Sequence, residues 1–209
     1  PLGRDVWKRL QTVDGVAAAA PVRYFDVEWR TPAGEKEKLA YMGIDPASHS
    51  QVTSFIFSQP NTDAFTVLQQ LADGDAVFVS SVIAEKYALQ AGDSITLLTK
   101  TGEKPFKVAA VVVDYYNQGL VVTGRGVDMG RYFRQKDANA FLIKGASGYD
   151  IDQVGQRIDN LYGKRDQLIV ESNQALLQRV SGLMQNAFSM FDVLALIAML
   201  VGFMGIMNT

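Results

Sequence analysis

The sequence predicts an α+β (mixed α/β) fold. Short segments rich in β-formers alternate with segments of helical spacing along most of the chain. Several strand pairs are joined by turn sequences of hairpin type. With 209 residues, 48% of them hydrophobic, the chain can build one large core or two small ones.

The elements follow in order. Val6, Leu10 and Val13 recur at helical spacing, with charges between them, and Gly15 suits the end of that helix. Pro1-Leu2-Gly3 reads as an expression scar and is left out of the fold. Residues 22–30 are mostly alternating, 31–34 form a turn, and 38–44 return as the second strand of a hairpin that ends at Asp45-Pro46. Asp63 caps a helix running to Gly74. Residues 76–79 form an apolar strand, Ser80 or Ser81 caps the helix after it, and that helix ends at Ala91-Gly92. Residues 94–98 and 106–114 are strands, and Val111-Val112-Val113 implies burial on both faces. The glycine-rich stretch 117–126 reads as weakly structured, and Asp128 as the cap of a short helix through Tyr132 and Phe133. A strand over 138–144 follows. A helix then starts at Asp150, with Ile151, Val154, Ile158 and Leu161 on one face, and 168–170 forms a last short strand.

Charge and chemistry narrow the function. Lys and Arg total 20 against 22 Asp and Glu, a net charge of −2, so the basic excess of a duplex nucleic-acid binder is missing. There is no cysteine, which excludes disulfides, thiolate metal sites and a cysteine nucleophile. A single histidine, His49, excludes a multi-histidine metal site. Its setting, Ser48-His49-Ser50, reads as a solvated loop rather than a serine–histidine pair, and the Glu-Lys run 35–38 reads as a solvated turn. Gly124-Arg125-Gly126-Val127-Asp128-Met129-Gly130 has one residue too many for a dinucleotide fingerprint, and no P-loop, zincin, nucleophile-elbow or EF-hand motif is present. No catalytic, cofactor-binding or metal-ligating residue is expected.

The C-terminal segment carries the most information. Asp192 is the last charged residue, and the 17 residues after it would span about 26 Å as a helix. That is slightly short of the roughly 30 Å bilayer core and reads as the start of a transmembrane helix. Leu176, Val180, Leu183, Ala187, Met190, Leu194, Ile197 and Val201 step by four and three residues, a heptad stripe that runs from polar into apolar sequence. No proline interrupts 172–209, which predicts one rod, outside the membrane at its start and within it at its end. Outside, the stripe needs a partner, and the N-terminal helix bearing Val6, Leu10 and Val13 is the candidate for a coupling stalk. Ala198, Gly202 and Gly205 form a small-residue face suited to packing in lipid. Five of the seven methionines lie from Met184 onward, as adaptable filler.

Several stretches resemble one family, the MacB-like extracytoplasmic domains of FtsX-family ABC transporter permeases. Residues 76–95 resemble its block of strand, serine, helix, Gly-Asp and strand; Gly102 and 106–114 resemble the strand after it. Asp14-Gly15-Val16 through Pro21-Val22 resembles the family's opening, and Gly43-Ile44-Asp45-Pro46 its Gly-Ile-Asp-Pro motif. The tail from Val193 to Thr209 resembles the second transmembrane helix. The departures are at Ala109-Ala110 and in 117–126.

The resemblance implies a discontinuous porter-like subdomain over 4–74 and 127–171, an inserted small subdomain over 75–126, and a stalk and membrane helix over 172–209. It implies an extracytoplasmic location at the cell membrane, a separate ATP-binding cassette ATPase subunit or domain, a permease homodimer or heterodimer, and an adaptor or substrate protein outside the membrane. Its activity would be mechanotransmission, the coupling of ATP-driven helix movement to export or extraction. The competing readings are a membrane-anchored sensor or ligand-binding module, and a membrane-tethered hydrolase.

Overall fold

The computed structural model describes residues 6–164 and 168–172. Two units are distinguished, residues 1–150 and 151–209. The first holds helix α1 (Val6–Gln11), strands β1 (Val16–Arg30) and β2 (Lys36–Ile44), helices α2 (Pro46–Val52) and α3 (Ala64–Asp73), and strand β3 (Ala76–Ser80). Helix α4 (Ser81–Tyr87), strands β4 (Ser94–Thr99), β5 (Gly102–Val112) and β6 (Val121–Arg125), helix α5 (Gly126–Phe133) and strand β7 (Ala140–Gly145) complete it.

The strand pairings close on themselves. β1 runs antiparallel to β2, from Val22 opposite Ile44 to Arg30 opposite Lys36. β2 lies parallel to β6, β6 antiparallel to β3, β3 parallel to β5, and β5 antiparallel to β4. β4 returns to β1 at Trp29–Leu97 and Arg30–Thr96. Six strands thus form a ring, and β7 extends it by pairing with the first half of β1. Residues 75–126, expected as an inserted subdomain, supply β3 to β6, which lie in the same sheet as β1, β2 and β7.

Alternation along the strands builds two cores. Trp29, Leu39, Tyr41, Val79, Leu97 and Phe106 belong to one buried cluster, which Ile83 of α4 and Met129, Tyr132 and Phe133 of α5 complete. Each such side chain contributes about 1.5–3 kcal/mol on burial. Val22, Met42, Ile44, Phe78 and Val112 face the other way and meet Val67 and Leu71 of α3. Val108, Ala109, Ala110 and Val112 are buried, but of the run Val111-Val112-Val113, expected to be buried on both faces, Val111 and Val113 are only half-buried.

Local chemistry sets the helix starts. Asp63 accepts the Phe65 amide at 3.1 Å and caps α3. Ser80, fully buried, accepts the Ile83 amide at 3.1 Å and caps α4, while its hydroxyl donates to the Gly119 carbonyl. α4 stops at Tyr87, earlier than expected, because Ala88 turns left-handed at φ 53°. Asp45-Pro46 ends β2 but also starts α2: Asp45 accepts the Ser48 amide at 3.0 Å, and Pro46 occupies the first turn.

Four further expectations need correction. The stretch 117–126 holds β6, a strand paired on both sides, because Val121-Val122-Thr123 fills a register between β2 and β3. Asp128 does not cap α5. Arg125 is the cap residue, and Asp128 is buried in the first turn. The Glu-Lys run is not a solvated turn, since β2 starts at Lys36 and Glu37 bonds Lys86 at 2.7 Å and the Tyr87 hydroxyl. His49 is not on a solvated loop. It lies on α2, is 3% exposed and stacks on Phe55 at 4.7 Å.

Burial holds the His49 imidazole below its ordinary value of 6.5, so the neutral ring is the folded form. The unfolded chain then binds the proton more readily, and stability rises with pH across the window between the two values. The His49 contribution is fully present above pH 6.5 and is lost as pH falls through the lowered folded value. Melting temperatures measured from pH 7.5 to pH 5 should fall less steeply in His49→Leu than in the parent chain. Identical slopes would refute the assignment.

In the second unit, helix α6 (Ile151–Ile158) continues as a π-helical turn over Asp159–Gly163. Val154 and Ile158 are buried, but Leu161 is 55% exposed. The wider π turn rotates Leu161 off the apolar face that α-helical spacing would give it. Residues 168–170 are not a strand, and Ile169 is 93% exposed. No described strand pairs with them.

Candidate functional site

Of the expected stalk positions, the structure describes Val6, Leu10 and Val13. All three are buried, and α1 packs on β1. Leu176, Val180, Leu183, Ala187 and Met190, and the small residues Ala198, Gly202 and Gly205, lie outside the described residues. So does the apolar tail. No helix among the described residues is long and apolar enough to cross a membrane.

The opposite side of α1 opens onto a cleft of about 870 Å³. Trp7 and Lys8 of α1 form one wall, and Pro21, Val22 and Arg23 of β1 lie beside them. β2 and β6 run parallel and deliver their C-terminal ends here: Gly43 and Ile44 on one, Arg125 and then Gly126 and Val127 on the other. The segment 135–138 and Phe141 close the remaining side.

Two arginines hold this region in different ways. Arg125 donates to the Ala72 carbonyl at 2.6 Å and pairs with Asp128 at 2.9 Å. The other Asp128 oxygen accepts the Asp75 amide at 3.0 Å. The buried carboxylate therefore ties the 72–75 turn to α5. Asp75 itself sits at φ 53°, and its carboxylate accepts from Tyr132 at 2.5 Å and Lys104 at 3.0 Å. The Tyr132 hydroxyl first, and then Lys104, hold Asp75 below the usual carboxylate range. Arg23 instead donates to two neutral acceptors, the Asp137 carbonyl at 2.9 Å and the Gln135 side chain at 2.6 Å.

The glycines of the 124–130 segment answer to packing. Tyr41 is fully buried, with its hydroxyl over Gly124, where any Cβ would overlap it. A Cβ on Gly126 would press on the Ile44 carbonyl at 3.2 Å. Among the described residues no group of three or more His, Cys, Asp or Glu is placed to hold a metal ion.

Nothing in the sequence marks Arg23, Arg125, Asp128 and Tyr132 as a group. The pairs are 53 and 57 residues apart where Asp75 meets Asp128 and Tyr132, and 112 where Arg23 meets Gln135. The one local signal was Arg125 three residues before Asp128, a helical ion-pair spacing.

The fold has counterparts among solved structures. The periplasmic region of MacB from Actinobacillus actinomycetemcomitans superposes with a TM-score of 0.60 at 13% identity, over 87% of this chain and 83% of that one. The extracellular domain of the noncanonic ABC-type transporter YknZ from Gram-positive bacteria gives 0.58 at 17% identity, over 81% of this chain and 88% of that one. The fold is that of a MacB-type extracytoplasmic domain. In sequence, the chain is similar to an uncharacterized ABC transporter permease protein of Mycobacterium tuberculosis, with 23% identity over 206 residues. That alignment takes in 98% of the chain but spans only 23% of the relative's length. No family model matches.

Proposed function

We infer that the chain is the extracytoplasmic domain of an ABC transporter permease, which passes movement driven by cytoplasmic ATP hydrolysis to the export or extraction of substrate outside the membrane. The observation that carries this is the coincidence of two likenesses. Nearly the whole chain aligns with an ABC transporter permease, and its fold is shared with the extracellular domain of the ABC-type transporter YknZ and the periplasmic region of MacB. In this reading ATP is hydrolysed on a separate subunit or domain, and the permease works as a homodimer or heterodimer with an adaptor or substrate protein outside. The organisation expected from sequence is proposed with it: a porter-like part over 4–74 and 127–171, an insertion over 75–126, and a stalk from 172 entering the membrane.

Coupling would run through two helical segments. Val6, Leu10 and Val13 flank the start of β1, and the heptad stripe through Leu176, Val180, Leu183, Ala187 and Met190 leads toward the apolar tail. Leu183→Asp puts a charge into that seam. In the full-length transporter, at matched expression, export should fall at least about tenfold while ATP turnover persists, since a charge misplaced at such a seam is worth more than the 1.4 kcal/mol that makes a tenfold change. Transport and ATP hydrolysis measured on the same preparation decide it. Normal export in the variant removes the stalk role.

A further inference from the structure

We propose that the cleft between α1 and the ends of β2 and β6 binds a small organic anion with an apolar body. The inference does not depend on the transporter reading.

Size comes first. About 870 Å³ falls in the range of pockets that enclose small organic ligands. The walls are apolar where an aromatic or aliphatic body would lie, on Trp7, Val22, Ile44, Met129 and Phe141.

Charge selects the sign. Lys8, Arg23, Arg125 and Lys136 line the cleft, with Asp45 and Asp137. Arg125 is neutralised by the buried Asp128. Asp45 is engaged with the Ser48 amide and hydroxyl at the start of α2. Arg23 has only neutral acceptors, and among the described residues no carboxylate lies within ion-pair distance of it. Lys8 and Lys136 are exposed, and no ion pair of theirs occurs among the described residues. With Asp128, Asp45 and Asp137 set against Lys8, Arg23, Arg125 and Lys136, the cleft keeps one positive charge in surplus, on a chain whose net charge is −2. A cation in surplus beside apolar walls, outside any ion pair, favours an anionic group within its reach.

The test uses the whole chain in lipid nanodiscs, with empty nanodiscs as the blank. It is titrated by calorimetry with 2-naphthoate and, in parallel, with the neutral 2-naphthamide. The carboxylate should bind saturably and at least about tenfold more tightly than the amide, the step expected of a charge-assisted contact. Lys8→Gln combined with Lys136→Gln should narrow that ratio, and both positions are exposed enough to leave folding alone. Val127, 68% exposed on the cleft wall, offers a steric control: Val127→Trp should weaken both ligands. Arg23→Gln should erase most of the preference for the carboxylate. Equal affinity for the two ligands, absence of saturable naphthoate binding, or naphthoate binding untouched by Val127→Trp would each overturn the proposal.

Discussion

Asp128→Ala should destabilise the fold by about 3 kcal/mol, near the lower end of what removing one partner of a buried ion pair costs. Asp128 is fully buried and serves two donors, the Arg125 guanidinium at 2.9 Å and the Asp75 amide at 3.0 Å. Alanine leaves both without their acceptor, in a region where water cannot readily replace it. Arg125 cannot simply swing away, because its other nitrogen is bonded to the Ala72 carbonyl and its head packs against Gly74, where a Cβ would sit 2.5 Å from it. The left-handed Asp75 loses the bond that holds its amide, so the turn should loosen together with the first turn of α5. Asp128→Asn keeps an acceptor for the amide and should cost less than half as much. Urea unfolding followed by tryptophan fluorescence measures both. A loss under about 1 kcal/mol for the alanine variant would mean that this carboxylate does not hold the turn to the helix.

Gly124→Ala should be similarly damaging, by about 3 kcal/mol, at the upper end of the usual overpacking penalty. A methyl group there overlaps the Tyr41 hydroxyl. Neither side can yield. β6 is hydrogen-bonded to β2 and β3 at once, and Tyr41 is walled in by Phe25 and Phe133 at ring distances of 5.1 and 5.2 Å. Because one contact carries the penalty, it should be strongly coupled to residue 41. The double variant Gly124→Ala, Tyr41→Ala should lose at least about 1 kcal/mol less than the two single losses together. Simple additivity in the same unfolding assay would exclude the overlap as the cause.

Local signals made much of this fold legible in advance. Strand alternation in 22–30, the hairpin return over 38–44, the caps at Asp63 and Ser80, and the burial of Val112 follow from rules that act within a few residues, and the structure keeps them. What sequence missed was set by distant partners. Glycines at 119, 124 and 126 made the 117–126 stretch look weakly structured, yet β2 and β3 on either side convert Val121-Val122-Thr123 into a strand. His49 looked solvated between two serines, and it is Phe55 and the surrounding core that bury it. The cleft was invisible for the same reason: Lys8, Arg23, Arg125 and Lys136 come from four separate segments.

The ring of strands also has a temporal meaning. β1 and β2 are neighbours in sequence and can pair early, but the outer edge of β2 is covered only when Ala40 meets Val121, and β1 waits for Leu97 and then for Phe141. Closing loops of that length is slow compared with forming the hairpin. During synthesis the nascent hairpin would therefore present unsatisfied edges until β6 has emerged, a state open to pairing with other chains. Fragments ending before Arg125 should aggregate, whereas those that include β6 and β7 should not.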